Sequence, residues 1–293
     1  MSRNPSLPRA RDSRAGTRQR LSQNFLIDVG AARLIVRSSG VTAADLVLEI
    51  GPGDGMLTRQ LLGAAGRILA YEKDGYYAER LRRRYAGNDR IMLFHRDFRT
   101  VRVPDEPFAV VANVPFAVTT DVVRWCLAAR QLTSATLLTQ LEFARKHSGD
   151  YGRWTKLTVT HWPTVATTLG TRIGRHSFRP VPSVDTALLR LHRRPHPLLP
   201  HSALDDYRRV VKLGFRGVGG SLASSLRTQF PARTVRAACT AAGIMQDEPV
   251  GFVHPDRWMT LYRVLRIGHR QGNAPRYTNV SDTFMYQTRK EAM

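Results

Sequence analysis

Five short apolar runs punctuate the first half of the chain. They are LVLEI (46–50), RILAYE (67–72), RIMLFH (90–95), FAVVANV (108–114) and ATLLTQL (135–141). Near-continuous apolar runs of this length predict strands covered on both faces. Between them, residues 56–66, 76–87 and 119–130 carry apolar positions at helical spacing. A further helix is predicted over Asp28–Ser39, with Val29, Ala32, Leu34, Ile35 and Val36 on its apolar face. Strands alternating with helices predict a doubly wound, parallel α/β sheet. Two later strand-like stretches, 157–170 and 184–194, have no helix between them and predict an antiparallel edge.

The pattern changes at His192–His201 (HRRPHPLLPH), where three prolines in ten residues read as a linker. Beyond it, Leu204, Tyr207, Val210, Val211 and Phe215 recur at helical spacing. Leu222/Leu226, Val235–Ala242 and Trp258–Ile267 continue an all-helical pattern. The expected organisation is a basic arm at 1–20, an α/β domain at 21–194, a smaller all-α domain at 195–268 and a basic tail at 269–293. Arm and tail are polar and basic, and are expected to be disordered.

Charge narrows the choice of partner. Lys+Arg is 45 against Asp+Glu 23, a formal net charge of +22 in 293 residues. Self-repulsion on that scale points to a polyanionic partner, nucleic acid first and an anionic membrane surface second. Arginine far outnumbers lysine, which suits forked contacts to phosphate, although genome composition produces the same bias. Cys126 and Cys239 lie far apart with no CxxC or Cys/His zinc spacing, so neither a disulfide framework nor structural zinc is expected. His176, His192, His196 and His201 lack helical ligand spacing, and no metal is expected. No apolar run approaches the ~20 residues of a membrane span. The first twenty residues lack the apolar core of a secretory signal, and two prolines and no apolar face argue against a mitochondrial presequence. A cytoplasmic location is expected.

The candidate chemistry lies at successive strand ends. The first strand runs into Gly51-Pro-Gly-Asp-Gly55, a turn dense enough in glycine for a ligand to approach its backbone. Its GxGxG spacing is not the GxGxxG of dinucleotide binders, and a tight βα turn is the plain alternative. Glu72 ends the second strand, where a carboxylate can accept both hydroxyls of a ribose. Lys73 follows it and could pair with it. Asp54 inside the turn is a poor neighbour for a pyrophosphate. A nucleoside without phosphate fits better, and S-adenosylmethionine is such a ligand. Asp97 ends the third strand and either accepts from an adenine amine, with Phe98 beside the ring, or caps the following turn.

The fourth strand ends in Asn113-Val114-Pro115-Phe116. The Asn amide oxygen and a backbone carbonyl freed by the proline offer two acceptors side by side for the two hydrogens of an exocyclic amine. Pro115 stiffens the turn, and Phe116 presents a face for a base drawn out of its stack. A proline turn with a core Phe is the plain alternative. Arg82–Arg84 read as a solvated helix face or as phosphate contacts.

In order, SQNFLID (22–28), EIGPGDG (49–55), YEKD (71–74), RDF (96–98), NVPF (113–116), LEFARK (141–146) and FRPVPSVD (178–185) resemble the Erm group of 23S rRNA adenine dimethyltransferases. The KsgA-type small-subunit enzymes belong to the same superfamily. The resemblance covers about residues 18–195 by motif and extends more loosely to 268. Ser22 and Phe116, where KsgA-type proteins usually carry Tyr, favour the Erm side. So does Phe215-Arg-Gly-Val-Gly-Gly-Ser-Leu222, where small-subunit enzymes carry a basic stretch.

The resemblance implies a Rossmann-like, class I S-adenosylmethionine-dependent methyltransferase domain with an all-α RNA-binding domain. Asn24 and Leu26 would line the methionine end of the cofactor, and Gly51 and Gly53 would lie against it. Glu72 would hold its ribose and Asp97 its adenine amine. Asn113 would sit at the junction of cofactor and target, and Phe116 and Phe178 would bracket the extruded adenine. The implied partner is nascent or protein-poor 23S rRNA, the implied consequence is macrolide, lincosamide and streptogramin B resistance, and a monomer is the default. The alternatives are 16S rRNA dimethylation and a non-catalytic nucleic-acid-binding factor of the same fold.

Overall fold

The computed structural model describes residues 24–270. Residues 1–23, which hold the arm and the first two residues of the SQNFLID motif, and the tail beyond 270 lie outside the described residues. Two compact units divide between Ser202 and Ala203.

The first unit begins with β1 (Phe25–Leu26) and α1 (Val29–Ser39), and continues β2 (Leu46–Ile50), α2 (Met56–Leu61), β3 (Arg67–Glu72), α3 (Gly75–Arg84) and β4 (Ile91–His95). Then come β5 (Phe108–Asn113), α4 (Thr119–Ala128), β6 (Leu132–Gln140), α5 (Leu141–Ser148), α6 (Lys156–His161), β7 (Val165–Ile173), β8 (Phe178–Arg179) and β9 (Thr186–Arg193). Seven strands form one sheet in the order β4-β3-β2-β5-β6-β9-β7. The first five run parallel, and β9 runs antiparallel to both neighbours. β1 and β8 make a separate antiparallel ribbon.

Alternation along each strand sends neighbours to opposite faces, and both faces are covered. Leu48, Ile50, Val110 and Leu137 pack with Val122, Val123 and Cys126 of α4. Val47, Ala109 and Val111 pack with Ala32 and Ile35 of α1 and Leu57 and Leu61 of α2. Each such aliphatic side chain contributes about 1.5–3 kcal/mol on burial. α1 starts at Asp28, whose carboxylate accepts from Gly30 N (2.7 Å) and Ala31 N (3.2 Å), and it stops at Gly40. Strand order reverses between β2 and β5, and in such sheets ligands bind at the carboxyl edge of that crevice.

The expected edge departs from the sequence pattern in one place. Residues 157–170 are not one strand: Lys156–His161 is helical, and β7 begins only at Val165. Thr155 caps that helix by accepting from Thr158 N (3.1 Å), so a local cap outweighs the β-branched Thr-Val-Thr run. The linker also begins later than its composition suggests. His192 and Arg193 belong to β9, and Arg193 donates to the carbonyls of Leu132 (2.9 Å) and Ala129 (2.7 Å).

The second unit contains α7 (His201–Gly214), α8 (Leu222–Arg227), α9 (Ala232–Ala241) and α10 (Pro255–Arg270). Its core gathers Tyr207, Leu222, Leu226, Val235, Trp258 and Leu261, all fully buried. Phe215 stacks on Trp258 at 5.7 Å, and the Tyr262 hydroxyl donates to Asp206 (3.0 Å).

Arg193→Met should destabilise the α/β unit by about 2 kcal/mol, because two carbonyls at the start of β6 are left without their charged donor. Urea unfolding of both proteins checks this; an unchanged midpoint would mean that the two bonds contribute nothing to the edge.

Candidate active site

The carboxyl ends of β2 and β5 open into a cleft with two lobes. One lobe lies between Asn24–Leu26, the glycine turn, Asn113–Phe116 and Phe178. The other is bounded by Tyr71–Lys73 and Arg96–Arg99. Gly51 and Pro115 line both, so the lobes meet at the strand-order reversal.

Asn113 is the last residue of β5. Its Nδ2 donates to the carbonyl of Asn24 (2.9 Å). That bond fixes which end of the amide is which and leaves Oδ1 as an acceptor with no donor among the described residues. Val114 N is taken by Leu138 O (3.1 Å), and the Pro115 carbonyl accepts from Val118 N (3.0 Å). The Val114 carbonyl, by contrast, receives no donor among the described residues. Two acceptors therefore stand within two residues at the end of β5. Phe116 opens a single 3-10 turn, Phe116–Val118, and is half-buried. Phe178 lines the same lobe but is 2% exposed, packed against Leu26 on the neighbouring strand. It forms a wall of the lobe rather than a projecting plate.

The three glycines divide the work of the turn. A β-carbon at Gly53 (φ +55) would fall 3.0 Å from the Phe25 ring, and one at Gly55 (φ +79) would fall 2.6 Å from Leu81. These two admit the protein's own side chains. Of the three, Gly51 alone would have room for a β-carbon, at ordinary contact distance from Pro115 (3.8 Å). Asp54 pairs with Arg80 (2.7 Å), which offsets its charge.

Glu72 is 2% exposed, and its carboxylate accepts from Gly53 N (3.0 Å) and Asp74 N (2.8 Å). Burial raises its pKa. Lys73 does not pair with it; it reaches Asp97 instead, at 3.3 Å. Asp97 also takes Arg99 (2.5 Å) and accepts from Arg99 N (3.1 Å), so it does cap the turn after β4. The Arg99 guanidinium holds the Asp97 carboxyl well below the usual carboxylate range. Arg82 and Arg83 pair with Glu79, and Arg84 donates to the Asp54 carbonyl, which favours the helix-face reading of that run.

One residue of the site was not singled out from sequence. Glu49, the penultimate residue of β2, lines the first lobe. It is 1% exposed, and its Oε2 has no hydrogen-bond partner among the described residues. Burial, reinforced by the nearby Glu72 charge, pushes its pKa up to about 8. The signal was present, because Glu49 is the one charge in an otherwise apolar strand. The donor set of the cleft fits S-adenosylmethionine. Glu72 can take a ribose and Asp97 an amine, and Glu49, a buried acid whose Oε2 has no partner among the described residues, borders the lobe next to Asn24.

This sheet, with its single reversed strand and glycine turn at the switch point, defines a class I, S-adenosylmethionine-dependent methyltransferase. The pattern of the ribosomal RNA adenine dimethylase family matches residues 14–266, and the chain belongs to that family. An rRNA methyltransferase of Streptomyces thermotolerans is 47% identical over 254 residues, 86% of this chain and 85% of the relative. The mycinamicin-resistance protein MyrB of Micromonospora griseorubida is 38% identical, covering 89% and 83%. The crystal structure of the 23S rRNA methyltransferase ErmE is 42% identical and superposes with a TM-score of 0.79, over 83% of this chain and 100% of that one.

Glu49 makes stability depend on pH. Its folded pKa of about 8 lies above the ordinary 4.5, so its contribution is fully present below pH 4.5 and is lost as pH rises through 8. Glu49→Gln cannot ionise. Between pH 5 and 8 the wild type should therefore lose ~1.4 kcal/mol per pH unit relative to the variant. Chemical denaturation at three pH values in that window checks the slope; parallel profiles would show that Glu49 is already ionised in the fold.

Proposed function

We propose that the protein transfers methyl groups from S-adenosylmethionine to the exocyclic amine of an adenine in 23S rRNA, and so confers macrolide, lincosamide and streptogramin B resistance. The observation that carries this reading is the pair of unused acceptors at the end of β5, Asn113 Oδ1 and the Val114 carbonyl. Together they take both hydrogens of an amine, which draws the nitrogen lone pair out of conjugation with the ring. Bound S-adenosylmethionine supplies an electrophilic methyl on a sulfonium.

The chain's own residues do the positioning. Asn24, Leu26 and Glu49 receive the methionine end, Gly51 gives it room, and Gly53 holds the Glu72 carboxylate in place. Glu72 holds the ribose and Asp97 the adenine amine. Pro115 stiffens the acceptor turn. Phe116 stacks on the target base, and Phe178 walls the lobe that receives it. The chain supplies no general base: its acceptors would hold the amine with its protons in place, and a proton would pass to solvent after transfer, so alignment and desolvation supply the rate. The helical unit and the basic termini add RNA affinity. The names of ErmE and MyrB support the large-subunit target and the resistance outcome over the small-subunit alternative. The enzyme works as a monomer in the cytoplasm, where ribosomal RNA is assembled.

Asn113→Ala should lower methyl transfer at least ~100-fold while RNA affinity stays near wild type. Single-turnover transfer and a direct RNA-binding assay separate the two quantities, and equal loss of both would refute the assigned role. Expression in a susceptible host should raise the inhibitory concentration of a macrolide, and the same variant should not.

A further inference from the structure

Many arginines of the α/β unit have their charge met within the fold. Arg67 meets Glu106, Arg80 meets Asp54, Arg82 and Arg83 meet Glu79, Arg99 meets Asp97 and Arg145 meets Asp150. The segment between β7 and β9 differs. Arg175 and Arg179 stand four residues apart, both exposed, and neither has an acidic partner among the described residues. Asp28, brought to this segment from the start of α1, is already engaged by Gly30 N, Ala31 N and Ser177 Oγ (3.1 Å).

The position of these two charges is as informative as their lack of partners. In the β1–β8 ribbon Arg179 lies directly opposite Phe25, and Phe178 opposite Leu26. Residues directly opposite in an antiparallel pair share a face. Phe25 lines the first lobe and lies against Gly53, so the Arg179 face is the one turned toward the glycine turn. Phe178, its sequence neighbour, forms the lobe's wall. The ribbon is also firmly mounted. Ile27 N donates to Ser177 O (2.8 Å), and Ser177 Oγ ties the segment to the cap of α1. Two guanidinium groups without an acidic partner among the described residues, Arg179 on the ribbon and Arg175 on the 3-10 turn that leads into it, are pre-organised for anions beside the acceptor lobe.

We propose that the segment from Arg175 to Arg179 is a phosphate clamp, which holds the backbone of the single-stranded RNA flanking the adenine that enters the cleft. This rests on the reading of the cleft as an RNA adenine methyltransferase site. A base that leaves its stack to enter the lobe turns about its backbone, which brings the flanking phosphates to the rim. Contacts to phosphate set that register without reading sequence. The Arg82–Arg83 pair, already met by Glu79, has no such role.

The test measures binding of a fluorescent 23S rRNA fragment to the full chain over a range of potassium chloride concentrations. Arg175→Ala/Arg179→Ala should make the plot of log affinity against log salt shallower by about 1.4, roughly 0.7 for each phosphate no longer held. Affinity at moderate salt should fall about tenfold on the same grounds. Affinity for S-adenosylmethionine, measured by calorimetry, should not change. Arg179→Lys keeps the charge and should keep the slope, which a purely structural role for the arginine would not predict. Arg82→Ala/Arg83→Ala should match the wild type. A double variant that binds cofactor normally and shows the wild-type slope would overturn the clamp alone. A wild-type chain that binds no RNA would overturn the functional reading and the clamp with it.

Discussion

A single hydrogen bond, from Asn113 Nδ2 to the Asn24 carbonyl, sets the chemical polarity of the cleft. A side-chain amide can present either end to a ligand, and the two ends attract opposite partners. With its nitrogen tied to a backbone carbonyl 89 positions earlier in the chain, the amide offers oxygen to the lobe. The neighbouring Val114 carbonyl has the same character, because the chain leaves the sheet there and Pro115 follows. The bond also holds the segment leading into β1 at the end of β5. Closing that segment over the sheet edge creates the lobe and defines its acceptor character together.

Around that point the protein keeps carboxyl groups in three different states. Glu49 is buried without a charged partner and is held as the neutral acid near neutrality. Glu72 is buried as well, but two backbone amides bond its oxygens and offset part of the burial. Asp97 lies between Lys73 and Arg99 and stays ionised far into acid. The three acids line successive parts of the cleft: Glu49 borders the lobe assigned to the methionine end, and Glu72 and Asp97 border the lobe assigned to the ribose and the adenine.

Much of this was legible in the sequence, for identifiable reasons. The parallel strands were visible because each is apolar on both faces, and their ends were visible because Gly51, Glu72, Asp97 and Asn113 break those runs. The helix at 156–161 was hidden, because its Thr and Val residues favour strands and its cap is a single Thr155 hydroxyl. The partner of Lys73 could not be read from adjacency: side chains of successive strand-end residues diverge, and Asp97 arrives from the next strand. Nor could the burial of Phe178, which depends on β8 pairing with β1 from the far end of the unit's sequence. The charge excess was plain from composition, but which arginines are met by acids appears only once the chain is folded.

The measurement that bears most directly on the account is mapping of the nucleotide that acquires label when the purified chain is incubated with methyl-labelled S-adenosylmethionine and separate 23S and 16S transcripts. The account predicts label on the exocyclic nitrogen of one adenine in the 23S transcript. Label confined to 16S, label on another atom, or two unlabelled transcripts with an intact cofactor would contradict it.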